Sequence, residues 1–152
     1  MKKFVAFMLA LVMCMSFAAG VSADDMDMDM VYVTYNELAV NYDIAPKIVN
    51  NRTMVLLGVM EAAMGIPTEN VMYDAQNGGI KVVSDDVTVE LNVGSNVISV
   101  NGSERVMEAA PEAVEGGVLV PLRFVAEGLG KLVEWFSFEG LGKGGFAMVS
   151  DK

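Results

Sequence analysis

The chain has 152 residues, of which 53% are hydrophobic and 20% are charged, with 20 acidic side chains, 10 basic ones and no histidine. Its net charge of −10 makes nucleic acid and anionic membrane surfaces poor direct partners, because both are negatively charged. With one cysteine, the chain cannot form an internal disulfide, so it must be held by core packing, and its length suits one domain.

The first 23 residues have the pattern of a secretory signal peptide. Lys2 and Lys3 precede an apolar run from Phe4 to Phe17, and Val21-Ser22-Ala23 ends in the small residues that signal peptidase accepts. The alternative, an uncleaved membrane anchor, is disfavoured because the run is shorter than the ~20 residues that cross a bilayer. We therefore predict export and cleavage before Asp24. Loss of the two lysines leaves eight basic and twenty acidic side chains, a net charge of −12.

Residues 24–30, DDMDMDM, form an acidic leader rich in Met and Asp. Its thioethers could bind Cu(I) and its carboxylates Ca²⁺, as in an exported metal-handling protein. The segment lacks the glycine with which a calcium loop turns. A short acidic tail behind a signal peptide is typically solvated, so we predict a disordered leader without a metal site, and metal handling is the alternative.

The next part of the chain contains an internal duplication. The segment 45–65, APKIVNNRTMVLLGVMEAAMG, matches the segment 110–130, APEAVEGGVLVPLRFVAEGLG, at an offset of 65 residues. The shared positions are apolar or determine backbone geometry, so the duplication predicts architecture and not chemistry. We predict one α+β domain over residues 31–151, built from two related β-β-α-β-β halves at about 31–95 and 96–151.

Turn residues divide these halves into hairpins. Asn50-Asn51 in the first copy and Gly116-Gly117 in the second occupy equivalent positions, and both dipeptides can adopt positive φ angles. Apolar and polar residues alternate from Val87 to Asn92, and Ile98 and Val100 continue the alternation toward Asn101-Gly102. This pattern predicts a β-hairpin that links the two halves.

In each copy a short strand after the turn, Thr53–Val55 or Val118–Val120, leads into a helix. The second helix has apolar residues at the spacing of one buried face, and Pro121 suits its first turn. Glycines end both helices, and the strands that follow are predicted to bury one large aromatic residue each. The residues concerned are Leu122, Val125, Ala126 and Leu129 on the helix face, Gly65 and Gly130 at the helix ends, and Tyr73 and Trp135 in the strands.

The second copy resembles a known family at VLVPLRFVAEGLG, with Ala110-Pro111 and a β-turn before it and a Val-x-Trp strand after it. This pattern is similar to the copper amine oxidase N-terminal-like domain, also called the stalk domain of secreted bacterial proteins. Pro121 and Arg123 keep the family's Pro and Arg, whereas Leu56 and Gly58 replace them in the first copy. The resemblance covers residues 31–151 and implies a non-catalytic stalk or accessory module in a Gram-positive cell envelope.

The residues argue against the enzymatic activity that the family's name suggests. The resemblance implies that catalysis belongs to a separate domain, in which three histidines bind copper and a tyrosine becomes a quinone. Asn41-Tyr42-Asp43 matches the tripeptide around that tyrosine, but this chain has no histidine to bind copper(II). We predict that Tyr42 is unmodified and half-buried beside Ala45-Pro46, and that the protein is not an enzyme.

Other candidate sites are weak. Glu61, Glu127 and Glu134 are the carboxylates that a glycosidase-like pair would need, but their spacing does not pair them. Arg123 is predicted to pair with Glu127 at i+4 and to brace the helix onto the sheet. The loop 140–145, GLGKGG, lacks the ending of a phosphate loop and is predicted to be a mobile surface loop. No catalytic, cofactor-binding or metal-binding residue is therefore predicted.

The predicted function is structural support or interaction at the bacterial cell surface, by a secreted or wall-associated protein without a cofactor. A cell-wall component or an envelope protein is the expected partner, nucleic acid is not, and we expect no stable membrane insertion after cleavage. An anionic wall polymer would need a bridging cation because the mature chain is strongly acidic. The identity of the partner and the oligomeric state are left open.

Overall fold

The computed structural model of the chain describes residues 27–36 and 38–152, except for the side chains of residues 62 and 63. The predicted signal peptide and residues 24–26 of the leader lie outside the described residues. Within the described part the chain forms strands in three sheets, two short α-helices and a 3₁₀ turn at Thr68–Asn70. In chain order the elements are β1 (Val31–Tyr35), β2 (Leu38–Ala39), β3 (Lys47–Val49), β4 (Arg52–Leu56), α1 (Val59–Met64), β5 (Val71–Asp74), β6 (Gly79–Ser84), β7 (Val87–Asn92), β8 (Val97–Val100), β9 (Ser103–Val106), β10 (Glu112–Val114), β11 (Gly117–Pro121), α2 (Leu122–Gly128), β12 (Leu132–Ser137) and β13 (Gly145–Ser150).

The first sheet joins the beginning and the end of the described chain, in the order β12-β13-β1-β2. β1 lies parallel to β13, with Val33 opposite Ala147, and β12 pairs antiparallel with β13. A parallel pair between such distant segments cannot be read from local turn residues. It leaves β12 as an edge strand of this sheet.

The second sheet, in the order β10-β11-β4-β3, contains the two turns predicted from the duplication. Asn50 and Asn51 have φ angles of 49° and 61°, and Gly116 and Gly117 have φ angles of 96° and 153°, so all four residues adopt the left-handed backbone that these turns need. Both hairpin predictions are confirmed. The central strands β4 and β11 pair antiparallel, and Val55 lies directly opposite Val120.

The third sheet is an antiparallel meander, β5-β6-β7-β8-β9. Asn101 and Gly102, with φ angles of 49° and 84°, close the hairpin between β8 and β9 as predicted. Every second residue of β7 points into the core, and two of these residues, Val89 and Leu91, are buried there. This alternation buries one face of the sheet beneath α2.

The helices follow the second sheet on both occasions. The predicted face of α2 is confirmed, because the four residues predicted to form it are at most 7% exposed: Leu122, Val125, Ala126 and Leu129. Gly65 (φ 61°) and Gly130 (φ 80°) end the two helices in the left-handed conformation, also as predicted. Pro121 is an exception. Its ψ angle of 108° is that of extended backbone, so it is the last residue of β11 and the N-cap of α2. It is not part of the first helical turn.

Most of the buried side chains form one core between the helices and the three sheets. Tyr73 packs against this core, but the predicted burial of Trp135 is wrong, because its side chain is 38% exposed. Alternation places Trp135 on the same face of β12 as Val133, which contacts the core. Because β12 is the edge strand, the core does not extend far enough to cover the indole ring.

The acidic leader and the glycine loop 140–145 lie against each other, which two separate predictions missed. The amide N–H groups of Gly144 and Gly145 donate to the carbonyl oxygens of Met28 and Met30, at 2.8 and 3.1 Å. A Cβ atom on Gly144 would collide with the Met30 carbonyl, so glycine permits this approach of two backbones. Met28 also packs against an aromatic cluster that contains Phe146. The prediction of a solvated leader is therefore wrong for residues 27–30, and the loop is a packed segment.

A polar cluster fixes the end of β13. The Asp151 carboxylate accepts hydrogen bonds from Lys131 Nζ, the Tyr35 hydroxyl and Asn36 Nδ2. These bonds lower the pKa of Asp151 from 3.8 to about 2, and the bond from Lys131 makes the largest contribution. The cluster ties the C-terminal strand to the end of β1 and to Lys131, which lies immediately before β12.

The architecture is mainly β-sheet with two short helices, which agrees with the predicted α+β class in its broad sense.

Candidate functional site

A solvent-exposed groove lies where the second sheet meets the first. Its walls come from β3, the turn at Asn51, β4, the beginning of α2, the edge strand β12 and the loop before β13, and it has a volume of about 390 Å³. Small-ligand sites typically have volumes of about 300 to 1,000 Å³. The residues that give the groove its chemistry are Asn51, Arg52, Arg123, Glu134, Trp135 and Lys143.

Trp135 supplies the aromatic surface of the groove. It lies opposite Ala147 on the edge strand β12, and the benzene part of its indole ring lies over Gly145. A Cβ atom on Gly145 would come within 2.7 Å of Trp135 Cζ2, so only a glycine allows the ring to lie this close to the sheet. The indole ring is therefore supported from below by backbone and exposed to the groove.

Arg52 is the basic residue of the groove that is fully engaged within the protein. Its Nη2 and Nε donate to the Glu108 carboxylate at 2.8 and 3.1 Å, which lowers the pKa of Glu108. The guanidinium also lies 5.6 Å from the centre of the Phe124 ring, on α2. Arg52 thus connects β4 to α2. This is the bracing role that was predicted for Arg123.

Arg123 and Lys143 are held less firmly. Arg123 Nη1 lies 3.8 Å from Glu127 Oε1, so the predicted i+4 pair is confirmed, although it is too long for a good hydrogen bond. The backbone N–H of Lys143 donates to Asp29 at 2.9 Å, but within the described residues its ammonium group makes no hydrogen bond or ion pair. Both cations retain donors that a ligand could use, and Glu134 is the acidic side chain nearest to them in the groove lining.

The structure places Tyr42 in the loop between β2 and β3, away from the groove. Its hydroxyl donates to the Val31 carbonyl oxygen at 3.1 Å, and its ring packs against the main core. Burial raises its pKa above 10.0, with a smaller contribution from Tyr32. The half-buried position predicted for Tyr42 is confirmed, and its hydrogen bond gives the side chain a structural role.

The three glutamates considered for an acid pair have separate surroundings. Glu61 on α1 accepts a hydrogen bond from Thr68 Oγ1 at 2.7 Å, Glu127 faces Arg123, and Glu134 lies in the groove on β12. The structure therefore brings no two of them together as partners within its described part.

Residues 27–30 of the leader, the part that the structure describes, show no arrangement that favours metal binding. Asp27 and Asp29 accept hydrogen bonds from the backbone N–H groups of Asp29 and Lys143, both at 2.9 Å. Within residues 27–36 and 38–152, no three acidic side chains come together as metal ligands would. Nor is either helix of this part of the chain long and apolar enough to cross a membrane.

Sequence reasoning missed Arg52, Lys143 and the exposed face of Trp135. Strand alternation on β12 could have placed Trp135 beside Val133, but it could not show that this strand lies at an edge. Lys143 was visible only as part of a glycine-rich loop. Its position in the groove depends on the packing of that loop against the leader.

Comparison with known families identifies a match over most of the chain. Residues 32–139, more than two thirds of the chain, match the family described as copper amine oxidase N-terminal domain. In copper amine oxidases this domain is non-catalytic. No curated protein and no solved structure matches the chain.

Proposed function

Because the chain belongs to the copper amine oxidase N-terminal domain family, we propose that it is a non-catalytic accessory module. We propose further that it is exported and binds a partner at the bacterial cell surface. The family supports the accessory role, since this domain lies apart from the catalytic domain of the oxidases. The N-terminal sequence supports export, because its basic start, apolar run and small residues before Asp24 form a signal peptide pattern.

The groove between β4, α2 and β12 is the observation that carries the binding role. It combines an exposed aromatic ring with cations that have unused donors, and such combinations recur at binding surfaces because they offer both apolar contact and directional bonds. A purely structural spacer has no need to leave Trp135 exposed. The groove thus gives the module a surface with which to hold an envelope component.

We also propose that the domain consists of two related halves. The elements β3-β4-α1-β5-β6 and β10-β11-α2-β12-β13 follow the same order, at Lys47–Ser84 and Glu112–Ser150. The sequence equivalents Val55 and Val120 are paired with each other across the second sheet, as expected beside a local two-fold axis. The halves differ in what their last hairpin joins, since β5-β6 enters the third sheet and β12-β13 the first.

Export is tested by expressing the full chain in a Gram-positive host and separating culture medium, cell wall, membrane and cytoplasm. We expect the protein in the medium or the wall, with an intact mass that begins at Asp24. The matched control is Ala23→Leu, which replaces the small residue before the cleavage site and should leave the N-terminal segment attached. Wild-type protein that stays in the cytoplasm would contradict the proposal.

Binding at the surface is tested by sedimentation of the mature protein with purified cell walls. We expect the protein in the pellet with the walls and in the supernatant without them. Walls stripped of teichoic acid and walls stripped of protein identify the component that retains it. Equal recovery in the supernatant with every wall preparation would remove the binding role, although the family membership and any export would remain.

A further inference from the structure

The exposed ring of Trp135 offers a flat apolar surface beside polar groups. Its lower side rests on Gly145, so the ring is held in place before any ligand arrives, and little rotamer freedom is lost on binding. The face of a pyranose ring carries several C–H bonds and has the size of an aromatic ring, while hydroxyls surround its edge. A sugar therefore matches a supported indole ring with hydrogen-bonding side chains around it.

Such side chains are present in the groove. Asn51 and Thr53 from the second sheet and Ser137 from β12 line it, and they supply amide and hydroxyl groups that can both donate and accept hydrogen bonds. Sugar hydroxyls need partners of this dual kind. Extended peptides, in contrast, need pockets for alternate side chains, and the lining of this groove offers one large aromatic residue and no second one.

The charge of the groove favours an acidic ligand with few charges. Arg123 and Lys143 retain unused donors, whereas Arg52 is already paired with Glu108. The planar guanidinium of Arg123 can hold a carboxylate through two bonds, and Lys143 adds a point charge. A polymer with a phosphate at every repeat would extend beyond these cations onto a protein whose net charge is −10.

We propose that this groove binds an acidic saccharide, in which one sugar ring stacks on Trp135 and a carboxylate is held by Arg123 and Lys143. The inference rests on the proposed function, because it names the class of wall component that the module binds. In a bacterial wall this chemistry is that of a glycan whose sugars carry isolated carboxylates. A neutral glycan, a polyphosphate and an extended peptide are the ligands that the test must separate from it.

Trp135 is the only tryptophan in the chain, so its fluorescence reports directly on the groove. The mature protein is titrated with four probes: a soluble, peptide-free glycan fragment of N-acetylglucosamine and N-acetylmuramic acid, whose lactyl carboxylates are free, a neutral chitooligosaccharide of the same length, purified wall teichoic acid, and an extended acidic peptide. We expect a saturable change with the first probe and about tenfold weaker binding of the neutral one, because it lacks the carboxylate. Tighter binding of the teichoic acid or of the peptide would overturn the proposal.

Substitutions then identify the site. Arg123→Gln and Lys143→Gln should each remove part of the about tenfold preference for the acidic fragment and leave binding of the neutral one unchanged. Lys81→Gln is the matched control, since Lys81 is exposed on β6 of the third sheet, away from the groove, and carries the same charge. Equal effects of the three substitutions would show a general charge effect and refute the site.

Trp135→Ala, followed by calorimetric titration because the fluorophore is lost, should abolish saccharide binding, while Trp135→Phe should retain part of it. Circular dichroism and urea unfolding establish that both variants are folded. Wall retention that survives every groove substitution would leave the proposed function standing and refute the groove. Binding of the fragment without wall retention would do the reverse.

Discussion

Replacement of Leu122 by alanine tests whether α2 is anchored in the main core as the fold requires. Leu122 is 0% exposed and belongs to the core between the helices and the three sheets. The substitution removes roughly three methylene equivalents, which costs about 2.4 kcal/mol of transfer free energy at about 0.8 kcal/mol each. Because β11 leads directly into the helix through Pro121, the backbone has little freedom to move into the space, and the cavity adds about 1 kcal/mol. We expect a total loss of about 3 to 4 kcal/mol.

Urea unfolding of the mature protein, followed by circular dichroism, measures this loss. With an m-value of about 2 kcal/mol/M, the midpoint should fall by about 1.5 to 2 M. Leu141→Ala is the matched control, because the same atoms are removed from a side chain that is 73% exposed. Its free energy of unfolding should change by less than about 0.5 kcal/mol. Similar shifts for the two variants, at equal m-values, would refute the placement of α2.

Three further predictions concern the leader, acid stability and Tyr42. Gly144→Ala should destabilise the protein by about 1 to 3 kcal/mol in urea unfolding, because its Cβ would collide with the Met30 carbonyl. The control Gly58→Ala should be tolerated, because Gly58 has open space around it and a φ of −61°. Equal stability of the two variants would show that the leader is not docked. The pKa of Asp151 in the folded state is lowered from 3.8 to about 2, so its contribution to stability is present above pH 3.8 and is lost as the pH falls towards 2. Wild type and Asp151→Asn should therefore differ in thermal stability above this pH range and converge below it. After aerobic incubation with copper, Tyr42 should keep its unmodified mass and the protein should release no peroxide from amines, whereas a visible quinone absorbance would contradict the non-catalytic function.

The parts of the fold that were predictable from sequence are those with local causes. The turns at Asn50-Asn51 and Gly116-Gly117 need residues that accept positive φ angles, and the residue types alone reveal this demand. The buried face of α2 follows from the spacing of four apolar residues within two helical turns. Each of these features depends on residues less than about ten positions apart, so no knowledge of the rest of the chain was needed.

The errors share a different cause, which is the pairing of β1 with β13 across more than a hundred residues. This pairing brings the leader beside the loop 140–145, and so it converts a predicted solvated tail and a predicted mobile loop into packed backbone. It also makes β12 the edge of its sheet, which leaves Trp135 exposed although strand alternation indicated burial. Period and turn residues carry no information on which distant strands pair. The groove depends on this pairing indirectly, because the segments that carry Trp135 and Lys143 are positioned by it.

The net charge of the chain and the charge of its groove lead to different expectations about anionic partners. The strongly acidic mature chain repels a polyanion, which is why an anionic wall polymer is predicted to need a bridging cation. At physiological ionic strength, however, charges more than about 8 Å apart are largely screened. A group bound in the groove therefore responds mainly to Arg123 and Lys143, with Glu134 and Glu127 opposing them. A ligand with one carboxylate gains this local attraction without reaching the acidic surface around it, whereas a densely charged polymer must also lie on that surface. This difference is the physical reason for expecting a sparsely charged saccharide and not a polyphosphate.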